Sequence, residues 1–187
     1  GSLAHALGEL KLRKRFELMK KSVFDKTLKE IRSDERYSAE MNGYTDTYLD
    51  YVSSIMHSYT TKPYIAIEKR LDYSHIAPDG FGTGDCLVMC GGDLHIIDFK
   101  YGRGVAVSAE DNPQLKLYAL GAVREYEMLY AIHDITLHIV QPRTEEGNSS
   151  WKISRADLDA WGESIHPAAQ LAYEGKGEFK CGDHCRF

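Results

Sequence analysis

The segment GTGDCLVMCGGDLHIIDFKYGRG, residues 82–104, sets Asp85, Asp98 and Lys100 inside stretches that otherwise read as apolar strands. An unpaired charge is costly to bury there. Side chains alternate across a strand, so Asp98 and Lys100 share a face with the Phe99 backbone carbonyl between them. Asp85 lies one strand earlier, and the turn at Gly91-Gly92-Asp93 folds the two strands into a hairpin that can bring it to the same place. Two carboxylates suit Mg²⁺ or Mn²⁺, which take one or two of them together with waters and a substrate phosphate. Such an ion acidifies bound water and polarises a phosphoryl oxygen, while an ammonium group steadies the nucleophile and the developing charge. This is phosphodiester hydrolysis in outline. On spacing alone, a buried Asp–Lys ion pair with Asp85 capping a turn explains the same residues equally well.

These residues need elements to hold them. Leu3, Ala6, Leu7, Leu10 and Phe16 recur at helical spacing, which predicts a helix over about 3–21 with His5 and Glu9 on one face. A helical insertion is expected over about 22–62, with a helix near 38–58 whose Met41, Tyr44, Tyr48, Tyr51 and Ile55 form a core stripe. From Tyr64 the period falls to two, giving strands in YIAIEKRLDY, GDCLVMC and DLHIIDFKY. Asn112-Pro113 then opens a helix over QLKLYALGAVREYE, and DITLHIV makes a fourth strand. A short strand at Trp151–Ile153 precedes a last helix, capped by Ser154 and ended by Gly175.

The 187 residues, 43% of them apolar, suit a single α/β domain. A net charge of −5 gives the whole molecule no attraction for nucleic acid, so any polyanion site must be local. The basic residues Lys11, Arg13, Lys14, Arg15, Lys20 and Lys21 read as a solvated helix face. No run approaches the roughly 20 apolar residues of a membrane span and no leader opens the chain, so no membrane contact and a cytoplasmic location are expected. The start at Gly1-Ser2, without Met, is expected of a trimmed or partial chain. The four cysteines read as thiols or ligands rather than disulfides.

Taken together and in order, G-x-x-x-H-x-x-x-E (Gly1, His5, Glu9), G-x-x-D (Gly82, Asp85), D-x-K (Asp98, Lys100) and Q-x-x-x-Y (Gln114, Tyr118) carry more weight than any one motif. The set resembles the RecB-like branch of the PD-(D/E)XK nuclease superfamily over roughly residues 1–143. More narrowly, it is similar to phage- and prophage-associated exonucleases and to the CRISPR-associated RecB-like exonucleases. The resemblance implies a restriction-endonuclease-like αβββαβ core, a mixed sheet flanked by helices. It also implies a Mg²⁺- or Mn²⁺-dependent DNA nuclease, an exonuclease in phage or prophage DNA processing or recombination, in a bacterial or phage-infected cell. Carried over, His5, Asp85, Asp98 and the Phe99 carbonyl would bind the metal and Lys100 would be the catalytic lysine. Gln114 and Tyr118 would orient Lys100 or touch the DNA backbone. Asp98 stands where the family often has Glu, and the shorter carboxylate still suits the metal. The alternative is a non-catalytic nucleic-acid-binding module that kept the nuclease fold. An unrelated α/β enzyme with a coincidental D-x-K is a third reading.

Further residues have secondary expectations. Glu9 would tune His5 or extend the helix face. Glu68 could join the acidic cluster through water or pair with Lys69 or Arg70. Relatives of this type often hold an iron–sulfur cluster through one early and three late cysteines. Cys185 fits the first of those three, so the tail at about 175–187 would be incomplete and a cluster is expected only in a longer chain. Cys181, His184 and Cys185 are too few for a closed zinc site. Arg143, ending the fourth strand, could bind a phosphate, but pairing with a surface acid is the stronger expectation. His95 faces away from Asp98, and His57, His75, His133, His138 and His166 have no partner spacing to use.

Overall fold

A computed structural model of the chain describes residues 2–178 and 180–182. Five strands form one sheet in the order β1 (Tyr64–Asp72), β2 (Phe81–Cys90), β3 (Asp93–Phe99), β4 (Asp134–Val140) and β5 (Ser149–Ser154). All neighbours are antiparallel except β3 and β4. That parallel pair needs a crossover, which α4 (Pro113–Tyr126) supplies. Asn112 caps α4 by accepting from Leu115 N, with Pro113 as the first helical residue. Ser154 caps α5 (Arg155–Tyr173) in the same way, and Gly175 follows it at φ +68°.

The N-terminal helices depart from the sequence expectation. The single helix expected over about 3–21 is broken into α1 (Ser2–Phe16) and the start of α2 (Lys21–Ser33). Phe24, Leu28 and Ile31 of α2, at i, i+4 and i+7, turn toward the core as a narrow stripe within an otherwise charged segment. On α3 (Ala39–His57) the buried stripe is Met41, Thr45, Tyr48, Val52 and Met56. It shares only Met41 and Tyr48 with the expected stripe. Tyr44 and Tyr51 instead flank it, half-buried. The expected solvated basic face is partly committed to structure, because the Lys11 ammonium donates to Asn42 O, Thr45 Oγ1 and Asp46 Oδ1 and so ties α1 to α3.

Helices α1 to α3 cover one side of the sheet over Ile67, Cys86, Val88, Ile97, Phe99 and Val140. Helices α4 and α5 cover the other over Leu71, Leu87, Met89, Leu94, Ile96 and Leu137. Along β1, Ala66 and Leu71 both face α4 although they lie five apart. Along β2, a side chain on Gly82 would run into Tyr118 of α4, yet Leu87, five residues on, faces the same way. Strict two-residue alternation forbids both. The pleat therefore skips on both strands at one level, where Glu68 and Asp85 stand opposite each other between the pairs Ile67↔Cys86 and Lys69↔Gly84. Glu68 takes up the irregularity at φ +51°, a conformation costly for a side-chain-bearing residue.

At the same level the sheet forks. The β2–β3 ladder ends at Cys86↔Ile97, while β2 continues beside β1 to Phe81 and β3 continues beside β4 to Phe99. The fork is where Asp85 and Asp98 meet the helices.

Candidate active site

Asp85 sits in the cleft of the fork. Its Oδ2 accepts from Phe99 N at 2.7 Å, replacing the ladder bond the fork has removed, and lies 3.6 Å from His5 Nε2 of α1. The Phe99 group with a visible role is thus its N–H rather than the carbonyl singled out from sequence. The Phe99 ring is clasped between His5 (centroids 5.3 Å apart) and Tyr48, stacked at 4.7 Å. Gly8 gives Tyr48 room, since a Cβ there would lie 3.1 Å from Tyr48 Cδ1. Burial, then the charge of Asp98 and, more weakly, that of Glu68 push Asp85 up to about 7, against the opposing pull of the Phe99 N–H and His5.

Asp98 is only 4% exposed. Lys100 Nζ lies 2.9 Å from its Oδ2, close enough for an ion pair, but no directed hydrogen bond reaches that oxygen from the described residues. Proximity supplies charge compensation, while the lone pairs remain under-used. Lys100 also approaches Gln114 Oε1 at 3.4 Å, and Gln114 Nε2 donates to Tyr118 OH at 2.9 Å. Tyr118 lies over Gly82. The structure therefore brings Asp98, Lys100, Gln114 and Tyr118 into one line, and His5 and Asp85 into contact beside it. A further buried oxygen, Tyr48 OH, has no partner among the described residues.

The secondary residues fall differently. Glu9 is held by Arg13 (Nε to Oε1, 2.7 Å), whose Nη2 donates to Ile67 O. Glu68 pairs with neither of its expected cations, because Lys69 bonds Glu125 and Arg70 lies 3.7 Å over the Phe81 ring. Burial and then Glu9 raise the Glu68 carboxyl, which places it electrostatically with the acidic cluster. Arg143 finds no acid among the described residues either. Its Nη1 donates to Tyr101 O, and its guanidinium lies 4.2 Å from the Tyr101 ring and 5.5 Å from that of Tyr44. Gly1 of the first motif and Cys185 lie outside the described residues. Cys86 is core, and Cys90 lies 3.2 Å from Thr61 Oγ1.

Sequence reasoning missed Tyr48 as the wall of the site and the strain at Glu68. Tyr48 could have been weighed by its place on the α3 stripe, but Glu68 is abnormal only because the sheet forks opposite it.

Among the described residues, no three His, Cys, Asp or Glu side chains converge as a ready metal-binding group. Each carboxylate has a cation or donor beside it, Asp98 the Lys100 ammonium and Asp85 the Phe99 N–H and His5. A hard divalent ion needs as few as one or two carboxylates, with waters and phosphate completing its shell. Asp85 and the under-satisfied Asp98 fit that requirement as a donor set.

The family described as "Protein of unknown function (DUF2800)" matches residues 1–187, and the chain belongs to it.

Proposed function

We propose that this DUF2800 protein is a Mg²⁺- or Mn²⁺-dependent deoxyribonuclease of the PD-(D/E)XK type, RecB-like branch, working as an exonuclease in the cytoplasm of a bacterial or phage-infected cell. Phage or prophage DNA processing or recombination is the setting the motif resemblance implies. The observation that carries the reading is a buried carboxylate, Asp98, left with an oxygen no directed hydrogen bond reaches from the described residues, beside a lysine that meets Gln114, itself bonded to Tyr118, at the fork of the sheet. Natural interiors rarely leave a polar atom so, and a catalytic role or a bound ion is among the few explanations for one that does.

Asp85 and Asp98 would hold the cation, with His5 beside Asp85. When bound, the cation supplies Lewis acidity and acidified water. Lys100, 29% exposed in its side chain, opens toward solvent, where its ammonium can hold an attacking water and offset the negative charge that grows on the phosphoryl oxygens. Gln114 accepts from Lys100 and donates to Tyr118, so the helix fixes the direction of the ammonium. The Phe99 N–H and His5 keep the Asp85 carboxylate turned into the fork.

An end-labelled linear duplex, a labelled single strand and a closed circle, each incubated with Mg²⁺ or Mn²⁺, test the proposal. Loss of linear DNA with the circle intact is the expected result. Cleavage of the circle would make the enzyme an endonuclease. DNA binding without cleavage in either metal would replace the proposal with a non-catalytic DNA-binding module.

A further inference from the structure

Arg143 ends the strand-to-turn segment after β4, and its guanidinium has five N–H donors. Among the described residues only one, on Nη1, meets a protein acceptor, Tyr101 O at 3.1 Å. Nε is buried without a partner among those residues, and none of their carboxylates pairs with the group. Glu145 and Glu146, which follow Thr144, are exposed. The cation is nevertheless held in place by Tyr101 and Tyr44, whose rings meet edge-on at 6.1 Å. Two residues earlier, Gln141 is 2% exposed and pins the segment that follows Lys100, donating to Gly102 O and Val105 O and accepting from Val107 N.

Tyr101 is the residue after Lys100, so its carbonyl fixes the guanidinium within about 10 Å of the Lys100 backbone, given ~3.8 Å between successive Cα atoms. A planar, weakly hydrated cation, stacked on aromatics and short of acceptors, suits a phosphate. In a molecule of net charge −5 such a local cation is what a polyanion would have to find. We infer that Arg143, seated on Tyr101 and Tyr44, binds a backbone phosphate of the DNA strand next to the one positioned at Lys100. The inference rests on the nuclease reading for its substrate.

Two substrates separate a phosphate contact from a loop staple. A single-stranded oligonucleotide has neighbouring phosphates, whereas bis(4-nitrophenyl) phosphate has one phosphodiester only. Arg143→Ala is expected to lose about 10-fold more kcat/KM on the oligonucleotide than on the small diester, chiefly through KM. Arg143→Lys recovers part of it, because lysine keeps the charge but lacks the planar fork. In EDTA, anisotropy of a labelled oligonucleotide should show binding weakened about 10-fold by Arg143→Ala, with the log–log salt slope smaller by about 0.7, one phosphate contact's share. Equal losses on both substrates, or unchanged affinity and slope in EDTA, would overturn the inference. If the parent protein cleaves neither substrate with either metal, the nuclease reading falls, and the EDTA measurement decides Arg143 by itself.

Discussion

Strands β3 and β4 carry two buried polar clusters, and they are built on opposite plans. Toward the start of β3, on the α3 side, Tyr51 OH meets His138 Nδ1 at 2.9 Å, His138 Nε2 meets His95 Nδ1 at 2.9 Å, and His95 Nε2 meets Tyr59 OH at 2.7 Å. Tyr59 OH donates onward to Asp93 Oδ2 at 2.9 Å. Because that proton is committed, the Tyr59 oxygen must accept from His95 Nε2–H, His95 Nδ1 must accept from His138 Nε2–H, and His138 Nδ1 must accept from Tyr51. One proton direction therefore satisfies every ring nitrogen with both imidazoles neutral. Burial lowers both histidines, with His138 pushed down to about 3 with the help of His95. At the other end of β3, Asp98 is as buried as His138 but keeps an oxygen without a directed donor, and Tyr48 OH is also unpartnered, among the described residues. A closed network rigidifies a fold, whereas an open one at similar burial is held against stability, as functional or strained sites are.

The contrast predicts opposite responses to mutation. Asp98→Ala and Lys100→Ala should each lower metal-dependent DNA cleavage by at least about 100-fold, the scale of removing one preorganised charge-stabilising group. Asp98→Asn should leave the thermal midpoint in EDTA unchanged or higher, because it removes the desolvation cost of a buried carboxylate while the partly exposed Lys100 ammonium can turn to solvent. End-label cleavage beside thermal denaturation reads both, and a strongly destabilised Asp98→Asn would erase the distinction between the clusters. His138→Ala should do the reverse. It strands Tyr51 OH and His95 Nδ1 and opens a cavity, at a cost of about 3 kcal/mol by urea denaturation, while cleavage per folded molecule stays within a few-fold of the parent.

The histidine chain also shows where sequence reading stops. His95 and His138 lie 43 positions apart, and only the parallel register of β3 with β4 places them within bonding distance. Nothing in either strand encodes that register. Asp85, Asp98, Lys100, Gln114 and Tyr118 were legible because chemistry restricts their types and because strand alternation and one helical turn fix their relative directions. Even there the agreement of alternation with Asp85 was partly fortuitous. The pleat skips at Asp85, and what holds its carboxylate in the fork is the Phe99 N–H. The strands, α4 and α5 were readable from period and caps. The break between α1 and α2 was not, because α2 offers only three inward residues among charges. Arg143 was expected to meet a surface acid that the described residues do not supply, and of the two expectations for Glu68 the fold carries the ion-pair partners Lys69 and Arg70 elsewhere.

A smaller effect separates the clusters by pH in metal-free protein. Asp85 sits near 7 when folded against about 4 unfolded, so the stability it contributes is complete below pH about 4 and is lost as pH rises through 7. His138 sits near 3 when folded against about 6.5 unfolded, so its contribution is complete above pH about 6.5 and is lost as pH falls toward 3. Between about pH 4 and 6.5 the two oppose each other, each by at most about 1.4 kcal/mol per pH unit. Asp85→Asn should therefore gain stability relative to the parent as pH rises from about 4 to 7, and a flat difference curve from denaturant titrations in EDTA would deny Asp85 its raised value.

The finest test lies at Glu68, where backbone and charge can be separated. Its φ of +51° suits glycine, so Glu68→Gly should relieve strain and add about 1 kcal/mol of stability. Glu68→Gln keeps the strain and removes only the charge, so it should gain none of that. Both substitutions remove a negative neighbour that helps hold Asp85 up. Carbon-13 titration of the Asp85 carboxyl should then show its midpoint moving down in both variants, by less than burial and Asp98 together hold it up. A shift in Glu68→Gly alone would trace the effect to backbone geometry, and Glu68 would then belong to the fork as a hinge and not to the acidic cluster as a charge.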